Sequence, residues 1–178
     1  MLGNVFNIAK VIVLVFLCTM ISCKPSEDEF SPLPVISLEE VSLLKDGLGK
    51  DSIIVLTIYY EDGDGDIGLT DADTAAPFNF GSPFYHNFPV TYLAQNSMGE
   101  YEEVINPNTN KPYGNQHERV PNLTPEGKYK AIRGTIKIDL IANPVQINAD
   151  RVILRANLID RALNVSNTVE TAPIELEH

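Results

Sequence analysis

Apolar residues recur at every second position through much of this chain. Gly134-Thr-Ile-Lys-Ile-Asp-Leu140 sets Ile136, Ile138 and Leu140 on one side, and Val152, Leu154, Ala156 and Leu158 repeat the spacing. Period two is the pattern of a strand with one buried face. Ser52-Ile-Ile-Val-Leu-Thr-Ile-Tyr-Tyr60 is apolar on both sides, which predicts a central strand covered on both faces. Weaker strands are predicted over 35–44, 89–95, 100–105 and 167–176, and no segment carries a helical period.

The connections are rich in Gly, Pro and Asn. Two are long: 70–88, and 106–130 with Pro107, Pro112, Pro121 and Pro125. There is no internal repeat. About seven antiparallel strands with such turns predict an all-β fold, an immunoglobulin-like β-sandwich over 35–178. If each connection reverses the chain, the segments 61–88, 106–130 and 160–166 share one end of that sandwich. The first strand then starts at the same end.

The N-terminus has a different organisation. Lys10 precedes the apolar run Val11–Cys18, and polarity changes abruptly after Cys23 at Lys24-Pro-Ser-Glu-Asp-Glu29. A membrane-spanning helix needs about 20 apolar residues, and this run is shorter, so residues 1–22 read as a cleavable signal peptide. Met20-Ile-Ser-Cys23 resembles the lipobox of bacterial lipoproteins, in which the cysteine carries the lipid; Met20 stands where Leu is usual. The resemblance implies lipidation of Cys23 and attachment to a membrane through that lipid. Ordinary secretion with nearby cleavage is the competing reading. Residues 23–34, with three prolines and three acids after the cysteine, read as a tether. Glu27-Asp-Glu29 resembles the export signal that sends Bacteroidetes lipoproteins to the outer face of the outer membrane; a merely soluble linker has the same composition.

Charge narrows the function classes. Lys and Arg number 13 against 24 Asp and Glu, a net charge of −11. That sign repels nucleic-acid phosphates and favours cations, so no nucleic-acid partner is expected. Both cysteines lie within the first 23 residues, which leaves the folded part without disulfides or cysteine metal ligands.

The acids concentrate in Glu61-Asp-Gly-Asp-Gly-Asp-Ile-Gly68, followed by Asp71 and Asp73. Glycines between the carboxylates allow the backbone to curl so that Asp62, Asp64 and Asp66 converge, and a hard cation neutralises such a cluster. Calcium takes oxygen ligands from flexible loops of this kind, whereas magnesium keeps its waters. The spacing resembles the start of an EF-hand loop with Asp73 at the twelfth position. Ile67, however, stands where that loop needs Gly, and no helices flank it. The expectation is a calcium loop at a strand end, with Asp160 and Asn164 supplied by the segment Asp160–Asn167. Two alternatives stand beside it: a solvated acidic hairpin, and an Asx-type turn at Asp160 and Asn164. A tether leaving beside the loop favours a calcium that stiffens the loops, or orients the domain, over one that captures a distant ligand.

Phe78, Phe80, Phe84, Tyr85 and Phe88 lie together in a loop. Exposed, Phe80, Phe84, Tyr85 and Phe88 would form a platform for glycan or peptide; buried, they would cover the end of the core. His86, His117 and His178 have no partner at a catalytic spacing, and no enzyme activity is expected.

The lipobox, the run EDGDGDIG after an apolar strand, Val120-Pro-Asn-Leu-Thr-Pro-Glu-Gly127 and Ile159-Asp-Arg-Ala-Leu-Asn-Val-Ser-Asn167 together resemble a group of uncharacterised Bacteroidetes surface lipoproteins. That resemblance implies an envelope location on the outer membrane and an immunoglobulin-like fold. Two functions follow as expectations. One is a calcium-stiffened structural or adhesive module acting through protein contacts; the other is an accessory glycan- or nutrient-binding protein using loop 78–88.

Overall fold

The computed structural model describes residues 30–113, 116–124, 131–142, 144, 147 and 149–177. The signal peptide, Cys23 and the tether up to residue 29 lie outside the described residues. The strands are β1 (Val35–Lys45), β2 (Asp51–Asp62), β3 (Val90–Gln95), β4 (Tyr101–Glu103), β5 (Ile105–Asn106), β6 (Lys111–Pro112), β7 (Ile132–Ile141), β8 (Arg151–Ala156), β9 (Val169–Glu170) and β10 (Ile174–Glu175). Among the described residues there is no helix.

The chain is an all-β sandwich of antiparallel sheets. One sheet has the order β1-β2-β7; the other runs β10-β8-β3-β4, with β9 also paired to β8, and β5-β6 is a small separate hairpin. Ile54, Leu56 and Ile58 of β2 pair with Leu140, Ile138 and Ile136 of β7, so the alternating positions of the two strands fall on the same inner face. Val90, Tyr92, Val152, Leu154 and Ala156 face them from the second sheet and complete the core. Burial of about 25 cal/mol per Å² of apolar surface makes this face the main stabilising feature. The Tyr92 hydroxyl donates to the Ile141 carbonyl at 2.8 Å, which ties the two sheets together; burial pushes its ionisation well above the usual range.

Two strands depart from simple alternation. In β1 the register with β2 shifts between Leu38 and Glu40, a bulge that lets Ile36, Leu38, Val41 and Leu43 all turn inward despite their uneven spacing. The predicted strand 167–176 is split into β9 and β10. Both pair with β8, and between them Thr171 exchanges bonds with Leu154 while Pro173 has no N–H to give.

The long connections meet at one end, as parity requires. Phe88 and Glu118 exchange backbone bonds, Leu69 donates to Val120, Leu123 donates to Ile67, and Ile67 bridges Asp160. The Asn87 amide imitates a strand pairing, donating to the Val120 carbonyl at 3.2 Å and accepting from the Val120 N–H at 2.6 Å. Arg119 reaches the carbonyls of Thr70, Asp73, Phe78 and Tyr85, drawing the loop 70–88 onto segment 116–120. Backbone that leaves the sheets is thus supplied with partners.

Candidate metal centre

The acidic loop begins where β2 ends. Asp62 pairs with Ile132 in the sheet and is 0 % exposed, so its carboxylate points from a fixed frame. Asp64 and Asp66 follow on a turn in which Gly65 has φ +68°, a left-handed conformation that glycine adopts without strain. Asp160 arrives from the other sheet, just beyond β8, held by the Ile67–Asp160 bridge and by a bond from the Arg161 N–H to the Asp66 carbonyl.

One carboxylate oxygen from each of Asp62, Asp64, Asp66 and Asp160 lies within 4.8 Å of the others. Asp62 and Asp160 are buried and the other two half-buried. Asp62 Oδ2 accepts from the Asp66 N–H at 2.9 Å, while Oδ1 of Asp62, Asp64 and Asp66 are buried without a hydrogen-bond partner. Buried carboxylate oxygens left this way cost several kcal/mol unless a cation meets them. The four aspartates can hold a metal ion, and the all-oxygen donor set is that of a hard cation. Burial, opposed by the Asp66 N–H and reinforced by the charges of Asp64, Asp66 and Asp160, pushes Asp62 up to about 6. Burial and then the charges of Asp160 and Asp64 raise Asp66 as well.

The remaining candidates take other roles. Asp73 is a correction to the EF-hand comparison: both its oxygens accept from Arg161, at 2.7 and 2.8 Å, and Oδ2 also accepts from the Thr70 N–H and hydroxyl. The Arg161 hydrogen bonds, with those from Thr70, hold its carboxyl well below the usual carboxylate range. Asp71 is exposed on the outer turn and outside the cluster. Asn164 is a support to Asp160, with its backbone N–H donating to Oδ1 at 2.7 Å and its amide to Oδ2 at 2.8 Å. Asp160 is thus bonded to the local turn, four residues on rather than the two of an Asx turn, and it still contributes to the cluster.

The aromatic loop is not a flat platform. Phe88 is 0 % exposed in the core, Phe84 and Tyr85 are half-buried, and Phe80 alone of the four is open, at 85 %. Phe80 meets Tyr85 edge-on at 5.2 Å, Tyr85 meets His86 edge-on at 4.8 Å, and Arg119 lies 5.0 Å over the Tyr85 ring. Arg161 and Arg119 were not singled out by sequence reasoning. The only signal was their position, one beside Asp160 and the other beside Val120.

A pH dependence follows for the metal-free protein. Asp62 binds its proton more tightly folded than unfolded, so the folded chain is favoured at low pH and loses that advantage as pH rises from about 4 through about 6. A shift of this size corresponds to a loss on the order of 3 kcal/mol. Urea unfolding in calcium-free buffer should show the wild type losing stability relative to Asp62→Asn across that window. A difference that stays flat would contradict the buried, repelled state of Asp62.

No family model, no curated protein and no solved structure matches this chain.

Proposed function

We propose that this chain is a lipid-anchored envelope protein of the bacterial outer membrane whose sandwich is stiffened by calcium and serves as a structural or adhesive surface module. The observation that carries the reading is the Asp62, Asp64, Asp66 and Asp160 cluster, with three buried carboxylate oxygens that lack a partner. A calcium ion would join the end of β2 to the segment after β8, linking the two sheets at their loop end. The anchor on Cys23 and the kinship with Bacteroidetes surface lipoproteins rest on the sequence motifs. The strand order β1-β2-β7 against β10-β8-β3-β4 supports an immunoglobulin-like topology. Burial of Phe88 and the edge-on rings favour loop cover over a glycan platform.

Calorimetric titration of the full chain in detergent tests the reading. Calcium is expected to bind at one site per chain, and Asp62→Asn and Asp160→Asn are each expected to weaken it at least about tenfold, the change produced by 1.4 kcal/mol. Equal heats from wild type and both variants would place any binding elsewhere.

A further inference from the structure

We infer that an ion in the acidic centre fixes the strap formed by residues 30–34, so that a divalent cation sets the direction in which the chain leaves the sandwich toward its N-terminus. This inference rests on the calcium reading of the same centre and adds a mechanical consequence to it.

The strap lies against the metal loop itself. The Gly63 N–H, between Asp62 and Asp64, donates to the Ser31 carbonyl at 2.8 Å. A Cβ at position 63 would come 2.1 Å from the Phe30 carbonyl oxygen, so only glycine permits the approach. Pro34 is buried, and the Arg133 guanidinium sits 5.7 Å over the Phe30 ring. Just beyond the strap, Asn167 accepts from the Ile36 N–H at 2.9 Å and donates to its carbonyl at 2.8 Å. That clamp holds the root of β1 and confines any movement to the residues before it.

Coupling follows from the position of Gly63. Without a cation, four carboxylates converge within 4.8 Å and one of them, Asp62, is wholly buried with an unpartnered oxygen. Asp62 is fixed by its strand, so the repulsion is relieved by moving Asp64 and Asp66. The backbone at Gly63 turns with them and loses Ser31. Among the described residues the strap is held by the Gly63–Ser31 backbone bond, the Phe30–Arg133 contact and buried Pro34, few enough for a small change to reverse its docking. With a cation bound, the same loop is drawn inward and the Gly63 N–H stays aimed at Ser31.

Hydrogen exchange on the full chain in detergent, with calcium and with chelator, tests this beside calorimetry with calcium. Calcium is expected to slow exchange at the Gly63 N–H, the donor to the Ser31 carbonyl, by about tenfold or more. Asp64→Asn/Asp66→Asn should abolish the effect. Phe30→Ala, which removes the ring under Arg133 and lies outside the metal loop, should still bind calcium while the Gly63 N–H exchanges rapidly with or without it. Calcium binding by the wild type with unchanged exchange at Gly63 would overturn the coupling and leave the metal reading intact. Absence of calcium heat would overturn both. Slow exchange at Gly63 in calcium-loaded Phe30→Ala would show that the loop is protected without the strap and would also overturn the coupling.

Discussion

Phe88→Ala is expected to destabilise the domain by about 3–5 kcal/mol, the cost of deleting a fully buried aromatic ring. Phe88 is 0 % exposed, and its backbone is locked to Glu118 by bonds of 3.0 and 2.9 Å, so the surroundings have little freedom to collapse into the space. Phe80→Ala, at a ring 85 % exposed, should change stability by less than about 0.5 kcal/mol. Urea unfolding of the two variants separates the roles of the aromatic loop. A near-neutral Phe88→Ala would reopen the case for Phe88 as part of a contact surface.

Calcium at 100 times its dissociation constant should raise stability by about 2.7 kcal/mol, provided that only the folded chain binds it. For a domain of this size that is roughly a 5–11 °C rise in Tm. Asp64→Asn/Asp66→Asn should remove the rise. In chelator the same variant should melt above the wild type, because it no longer holds four converging carboxylates without a counter-ion. The crossing of the two curves is the diagnostic result. A variant that is less stable in chelator would mean that those carboxylates already have partners, as in a solvated acidic turn.

Much of the fold was legible along the chain. Ile136, Ile138 and Leu140 and the run Val152–Leu158 declare their buried faces through alternation, and the doubly apolar Ser52–Tyr60 declares a central strand. Parity then brought the 61–88, 106–130 and 160–166 segments to one end, which the Ile67–Asp160 and Leu69–Pro121 bridges bear out. The uneven spacing of Ile36, Leu38, Val41 and Leu43 was harder to read, since a bulge depends on the neighbouring strand. The split of the last strand into β9 and β10 depends on Thr171 meeting Leu154 of β8, where the Thr171 hydroxyl accepts in place of its carbonyl.

The acidic centre divides in the same way. Convergence of Asp62, Asp64 and Asp66 is local, because a few residues of backbone with glycine between them suffice to bring the carboxylates together. The choice of the fourth carboxylate is not local. By spacing, Asp73 completes the loop; in the folded chain Arg161 arrives from across the sandwich and takes both its oxygens, while Asp160, its neighbour in sequence, turns into the cluster. Spacing along one loop carries no information about a cation delivered from another. The chain's own order was therefore enough for the sandwich, the acidic turn and the shared loop end, whereas the closing ligand, the fate of the aromatic rings and the contact between Gly63 and Ser31 came from distant segments meeting in space.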